Sequence, residues 1–264
     1  MHGTAPVPLA VVLVHGAFAG ASSWAKVIGL LHAAGLAVLA PANPLRGLAH
    51  DAAYIRSVLR QIDVPVVLVG HGYGGAVVTE AAADAENVVA LCYVAAFGLD
   101  AGECPRDVID RFAPMPAMDS AFTAAVSPRF SGGPGSELYI RGDRFPQTYA
   151  ADLPLRVARG LSVTQRPVAQ DALTGRSGPP AWASRPSWYA IAAADRMLNP
   201  AAQRFMAQRM AATEHVLPGS HAVVLSHPEA VAVMIKEAAG QSGDRGGGYG
   251  LQGPFEQTIF RTEE

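Results

Sequence analysis

Short apolar runs recur along the chain with the length of buried strands. They occupy residues 8–16, 36–42, 64–70, 88–96, 187–195 and 213–219. Most of these runs are hydrophobic at nearly every position instead of alternating apolar with polar residues. This pattern is typical of strands that are covered on both faces of a sheet.

Segments with the apolar spacing of helices lie between these runs. They cover residues 23–35, 51–62, 74–85, 200–211 and 228–239. Strands that alternate with helices predict a parallel sheet with helices packed on both faces. The fold class predicted from the pattern is therefore α/β.

The regular alternation stops between about residues 98 and 180. This stretch mixes short amphipathic pieces with loop signals such as SPRFSGGPGS. We predict a core formed by residues 1–97 and 181–240, with residues 98–180 inserted as a cap or lid over the strand ends, the usual place for substrate selection. Residues 241–264 are rich in glycine and lose the periodicity, which predicts a flexible tail.

Composition narrows the classes of function. Half of the 264 residues are hydrophobic and 16% are charged, which excludes a disordered or fibrous protein. The net charge is -2 and no basic run occurs, so neither nucleic acid nor an anionic membrane is an expected partner. The apolar segment near the start lacks a basic flank and is too short to span a bilayer, so we expect a cytoplasmic protein.

The stretch VVLVGHGYGG at 66–75 outlines a strand, a tight turn and a helix. In hydrolases such a turn carries the nucleophilic serine at the centre of G-x-S-x-G. Here the centre is Gly72, which adopts the positive φ of that turn without strain but has no hydroxyl group. An intact turn without a serine nucleophile is the prediction.

Two further residues follow predicted strands in the order that a hydrolase triad requires. Asp195 ends the run SWYAIAAAD, and His221 follows the last short run within GSHAV. In that arrangement Asp195 orients the ring of His221 and stabilises its imidazolium form, and the other ring nitrogen moves protons. An ordinary helix N-cap or a loop acid is the alternative for Asp195 taken alone.

Four motifs in this order resemble the α/β-hydrolase superfamily over about residues 8–240. HGAFAGASSW, GHGYGGAVV, VAAFGLD and SHAVVLSHPEAV look like its branch of small esterases and hydroxynitrile lyases, which use no cofactor. The resemblance implies the α/β-hydrolase fold with a cap insertion. It also implies an oxyanion hole built from the backbone N–H of Tyr73 and that of either Ala17 or Phe18.

The expected substrate is a small, largely apolar molecule with a carbonyl group. We assign substrate contacts to His15, Trp24 and Phe97, because aromatic and imidazole side chains near the motifs can line a pocket. No metal-ligand cluster or nucleotide-binding motif occurs, so no metal and no cofactor are predicted. A homodimer is left open.

The remaining polar residues near the motifs receive structural interpretations. His71 lies inside the elbow, where packing or a local hydrogen bond is expected. Ser220 is interpreted as a loop residue, and Cys92 as a buried thiol within an apolar run.

Three hypotheses about function stay open at this point. In the first, His221 and Asp195 act as a general acid/base pair on a carbonyl or ester substrate without an acyl-enzyme, as a lyase, a cyclase or a water-activating hydrolase. In the second, the chain is a serine esterase inactivated by a Ser-to-Gly change at position 72. In the third, it is a ligand-binding protein without turnover.

Overall fold

The computed structural model describes residues 9–118, 120–128 and 132–243. Its strands are β1 (Ala10–Val14), β2 (Ala37–Leu39), β3 (Val66–His71), β4 (Val88–Val94), β5 (Phe122–Pro128), β6 (Pro134–Ile140), β7 (Val168–Ala169), β8 (Ser187–Ala192) and β9 (Thr213–Leu217). Its α-helices are α1 (Ala25–Ala33), α2 (Leu48–Leu59), α3 (Tyr73–Ala81), α4 (Pro105–Arg111), α5 (Phe145–Tyr149), α6 (Leu155–Thr164), α7 (Pro200–Arg209), α8 (Val223–Ser226) and α9 (Pro228–Gly243). Of the tail predicted at 241–264, residues 244–264 lie outside the described part, and α9 runs to Gly243.

The central sheet has six strands in the order β2-β1-β3-β4-β8-β9, and every pair in it is parallel. The predicted apolar runs coincide with these strands. Helices connect successive strands of the sheet, as parallel pairing requires. The predicted α/β class, with a parallel sheet between layers of helices, is confirmed.

Both faces of the sheet are buried because successive strand residues point to opposite sides. Val12 and Val14 of β1 belong to one core cluster, which includes residues of α2, α3 and α7. Val11 and Leu13 belong to a second cluster, which includes residues of α1 and α9. This explains why the strands read as continuous apolar runs. Burying each such side chain stabilises the fold by about 1.5–3 kcal/mol.

The region between β4 and β8 contains a second sheet that the sequence analysis did not predict. Strand β5 pairs antiparallel with β6, and β6 pairs antiparallel with β7. Most of β5 is exposed to solvent, so it lacks the apolar alternation that marks a half-buried strand. The loop signal at 127–136 falls at the turn of this hairpin, of which residues 129–131 lie outside the described part.

Two further observations concern the cysteines and the length of the helices. Cys92 and Cys104 are both buried free thiols, and burial raises the pKa of Cys92 well above its usual range. No helix in the described ranges combines the length and the apolar character needed to cross a membrane.

The crossing of α3 over β1 depends on a glycine. A Cβ atom at Gly74 would contact the carbonyl oxygen of Val14 and would lie 2.9 Å from that of His15. Both neighbours are backbone atoms, which cannot move aside without displacing the strand. The glycine therefore fixes how closely the helix approaches the sheet.

We predict that Gly74→Ala lowers the free energy of unfolding by about 1–3 kcal/mol or more, because the new methyl group overlaps backbone atoms of β1. Urea denaturation followed by circular dichroism measures the effect. Gly29→Ala in α1 is the matched control, since nothing lies within 4 Å of its added Cβ. That control is expected to stabilise the protein by about 0.5–1 kcal/mol. Equal effects of the two substitutions would contradict the packing account.

Candidate active site

The turn between β3 and α3 is centred on Gly72. Its backbone angles are φ 53° and ψ -121°, a conformation that strains any residue with a side chain. The Gly72 N–H donates to the carbonyl of Val94 at 3.2 Å. Its own carbonyl accepts from the N–H groups of Gly75 and Phe97, at 3.1 and 3.0 Å. The elbow backbone is therefore held from β4 and from the loop that follows it.

His221 and Asp195 are brought together at the carboxyl ends of two neighbouring strands. Asp195 lies in the loop after β8, and His221 lies in the turn after β9. The Nδ1 atom of His221 is 2.8 Å from Oδ2 of Asp195, and both residues are almost completely buried. Because a carboxylate only accepts hydrogen bonds, this contact places the proton on Nδ1 and leaves the lone pair on Nε2.

The carboxylate of Asp195 accepts three further hydrogen bonds. The N–H groups of Met197 and Leu198 donate to Oδ1 at 2.7 and 3.1 Å. Nε2 of Gln203 donates to Oδ2 at 2.8 Å, and Oε1 of the same side chain accepts from the N–H of Ala192 in β8. Asn199, and not Asp195, is the N-cap of α7, where its side chain accepts from the N–H of Ala201, so the N-cap alternative for Asp195 is wrong. Sequence reasoning missed Gln203, whose position in α7 carries no motif.

The free nitrogen of His221 points at the elbow. A Cβ atom built on Gly72 would lie 2.9 Å from Nε2 and 3.4 Å from Cε1 of His221. The imidazole therefore occupies the space beside the glycine that a side chain at position 72 would need. Any larger residue there requires the ring to move.

The turn after β1 packs directly against the elbow. A Cβ atom on Gly16 would lie 2.7 Å from the carbonyl oxygen of His71 and 3.3 Å from the N of Tyr73. Ala17 follows Gly16, so its backbone is close to the start of α3. The N–H groups of Ala17 and Tyr73 have no acceptor within the described residues, which leaves them able to bind an oxygen atom.

Phe18 is excluded as the alternative oxyanion donor in this conformation. Its N–H donates to the carbonyl oxygen of Arg166 at 3.0 Å. Its φ is 60°, an uncommon value for a residue with a side chain. Of the two candidates in the HGAF turn, only Ala17 therefore offers its N–H, and Phe18 instead lines a cavity next to the site.

His15 supports the turn and has no free ring nitrogen for a substrate, which corrects the predicted substrate contact. Its Nδ1–H donates to the carbonyl oxygen of Gly16 at 2.9 Å. Its Nε2 accepts from the N–H of Asn43 at 3.0 Å and lies 3.1 Å from Nη1 of Arg166. Burial lowers the pKa of His15 to about 4, so the ring is neutral at neutral pH.

His71 holds the backbone of the catalytic histidine candidate. Its Nε2–H donates to the carbonyl oxygen of His221 at 2.8 Å, in agreement with the local hydrogen bond expected for it. Burial, together with the nearby His221, lowers the pKa of His71 to about 3. A neutral ring at this position keeps a second positive charge away from His221.

The two predicted aromatic contacts fall outside the cavity wall. Trp24 is fully buried in the core layer beneath α1 and α9, which corrects its assignment to substrate binding. Phe97 belongs to the opposite core cluster and supports the elbow through its backbone N–H. The hydroxyl of Tyr73 is also unavailable to a substrate, because it donates a hydrogen bond to Oδ2 of Asp51 at 2.8 Å.

The turn that carries His221 is held by hydrogen bonds to Asp152, which lies in the region between β4 and β8. The hydroxyl of Ser220 donates to Oδ1 of Asp152 at 2.5 Å, and the N–H of Ser220 donates to Oδ2 at 2.9 Å. Ser220 is fully buried, consistent with its interpretation as a structural loop residue. Asp152 lies between α5 and α6 and carries no motif that could have revealed it.

A cavity of about 230 Å³ lies beside these residues. Its wall is mainly apolar and aromatic and includes Phe18, Phe145, Tyr149, Leu161, Arg166 and Ala222. The ring of Tyr149 lies 5.1 Å from that of His221, at 75° to it. Within residues 9–118, 120–128 and 132–243, no group of three or more His, Cys, Asp or Glu side chains is arranged to hold a metal ion.

Comparisons with known proteins agree with this architecture. A family model described as the alpha/beta hydrolase family matches residues 11–233. A search of curated proteins found no match.

Three solved structures illustrate the structural similarity. Polyneuridine aldehyde esterase superposes with a TM-score of 0.76 and 20% identity, over 87% of this chain and 98% of that one. A pyrethroid hydrolase from Sphingobium faniae JZ-2 gives 0.71 and 21%, over 87% and 96%. The methylesterase MES16 from Arabidopsis gives 0.69 and 21%, over 88% and 98%. At these identities the likeness shows a shared fold.

Proposed function

The chain belongs to the alpha/beta hydrolase family, and from that premise we propose that it is a cofactor-free enzyme without a serine nucleophile. It acts on a small carbonyl or ester substrate by general acid/base catalysis through His221 and Asp195. One observation carries the proposal: Nε2 of His221, oriented by Asp195, faces the glycine at the centre of the elbow. A proton acceptor is thus aimed at the position where relatives with G-x-S-x-G place their nucleophile.

The mechanism follows from the groups that surround that position. For an ester, a water molecule beside Gly72 attacks the carbonyl carbon while Nε2 of His221 takes its proton. The N–H groups of Ala17 and Tyr73 hold the negative oxygen of the tetrahedral intermediate, and each such donor contributes a factor of about 10²–10³ to kcat. The imidazolium, stabilised by Asp195, then returns the proton to the departing alkoxide. The same base removes a proton from carbon or oxygen in a lyase or cyclase reaction.

A second candidate function is ester hydrolysis that depends on a serine at position 72. It is favoured by the named similar structures, which are an esterase, a pyrethroid hydrolase and a methylesterase. The positive φ of the residue at the elbow centre is also the conformation in which such turns hold a nucleophile. On this hypothesis the present chain is the inactivated form of that enzyme.

Removing the base tests the first proposal. We predict that His221→Ala lowers kcat/KM for p-nitrophenyl acetate by about 10²–10⁴-fold, the usual contribution of a positioned general base. Initial rates over a range of ester concentrations measure the loss. His32→Ala, on the exposed side of α1, is the control and should keep the wild-type rate.

Two results would contradict the proposal. One is a His221→Ala variant that is folded and as active as the wild type. The other is a wild type that hydrolyses none of a panel of short p-nitrophenyl and methyl esters faster than buffer and yet binds them, which would favour the ligand-binding hypothesis.

A serine at position 72 separates the two candidate functions. We predict that Gly72→Ser gives no gain in hydrolysis of p-nitrophenyl acetate, because its Cβ atom competes with Nε2 of His221 for the same space. Gly72→Ala is the matched control, since it adds the Cβ atom without the hydroxyl. The serine esterase hypothesis is correct if Gly72→Ser instead hydrolyses the ester about 10³-fold or more faster than both the wild type and Gly72→Ala. A gain of that order is expected because removing a catalytic serine causes a very large loss of kcat.

A further inference from the structure

Arg166 provides the cavity with a cation that lacks a matching anion. It follows α6 in the inserted region and is half-buried in the cavity wall. Within the described residues, no carboxylate lies within ion-pair distance of its guanidinium. By contrast, two other partly buried arginines have carboxylate partners: Arg46 pairs with Glu137, and Arg209 pairs with Glu103.

The hydrogen bonds of Arg166 are also incomplete. A guanidinium has five N–H donors, and among the described residues that of Arg166 makes one hydrogen-bond contact, from Nη1 to Nε2 of His15 at 3.1 Å. That nitrogen has a single lone pair, which already accepts from the N–H of Asn43 at 3.0 Å. The contact with His15 is therefore shared, and it does not neutralise the charge because burial keeps His15 neutral.

The charges around Arg166 leave it attractive to an anion. Arg46 adds positive charge nearby, and Asp51 opposes it from beyond ion-pair distance. The carboxylate of Asp51 is itself occupied by the hydroxyl of Tyr73 and by the backbone N–H groups of Arg46 and Gly47. Burial lowers the pKa of the Arg166 guanidinium, the expected sign for a desolvated cation without a partner.

From this geometry we infer that the substrate carries a carboxylate, which Arg166 binds at one end of the cavity while the carbonyl group faces His221. The inference rests on the proposed function, because it assigns the second group of the same substrate. Arg166 is tied to the HGAF turn twice, through its carbonyl oxygen to Phe18 and through Nη1 to His15. The carboxylate would therefore bind near the proposed oxyanion donor Ala17, so a short oxo acid or half-ester fits better than a long one.

The cavity also indicates what joins the two polar groups. Aromatic and aliphatic side chains such as Phe18, Phe145 and Leu161 form most of the rest of the wall, and its other polar residues are neutral. Apart from Arg166, no residue lining this cavity carries a full charge at neutral pH. A substrate with a hydrophobic body and one carboxylate group matches such a wall. Its body packs against the apolar side chains, and the planar guanidinium binds the carboxylate through two parallel hydrogen bonds.

The test compares two ligands that differ only in charge. Isothermal titration calorimetry is carried out with 4-oxo-4-phenylbutanoate and with its neutral amide, 4-oxo-4-phenylbutanamide. We expect the wild type to bind the acid about 10–100-fold more tightly than the amide, the usual preference of a partly desolvated arginine for a charged acceptor. Arg166→Met should bind both compounds about equally, with the affinity of the amide retained. Arg166→Lys should keep part of the preference.

Controls separate this inference from the proposed function. Arg159→Met, on the exposed face of α6, should bind like the wild type. His221→Ala should keep the preference for the acid even though it loses turnover. The binding test therefore gives a result whether or not the catalytic proposal is correct. A wild type that binds neither compound or binds both equally would overturn the inference. So would an Arg166→Met variant that keeps the preference, or one that loses both ligands to the same extent, since the latter is the result of a purely structural role.

Discussion

The hydrogen bond between His221 and Asp195 is the interaction on which the site depends. The two residues follow neighbouring strands of the parallel sheet, so the fold itself brings them together. Gln203 holds the carboxylate from α7, and His71 holds the backbone of the histidine from β3. Because Nδ1 of the His221 ring faces the carboxylate of Asp195, Nε2 on the opposite side of the ring faces Gly72.

On the proposed function, the absence of a side chain at the elbow changes the chemistry without disturbing the fold. Glycine adopts the positive φ of the turn freely, whereas a serine there is strained by about 1–3 kcal/mol. The backbone N–H groups of Ala17 and Tyr73 do not depend on the residue at position 72. In the proposed mechanism, what remains is a base, a carboxylate that supports it and two donors for an oxyanion. Such a set can move protons and stabilise negative oxygen, although it cannot form an ester with its substrate at the elbow.

Much of the fold could be predicted from the sequence, but only part of the site. The strands of the central sheet are buried on both faces, so their apolar runs are strong signals. Motif order selected Gly72, Asp195 and His221, which lie side by side in the structure. The small sheet containing β5 escaped detection because its exposed strand has no apolar period. Arg166 could not be predicted because it reaches the site through tertiary contacts with the HGAF turn and has no motif of its own.

The central claim is that His221 works without an acyl-enzyme, and the state of the protein during turnover tests it directly. The wild type is mixed with excess p-nitrophenyl acetate, quenched in acid within the first turnovers, and analysed by intact mass spectrometry. The account predicts that the chain keeps its unmodified mass while p-nitrophenol accumulates linearly without a burst. An acetylated chain that forms and decays at the rate of turnover would contradict it.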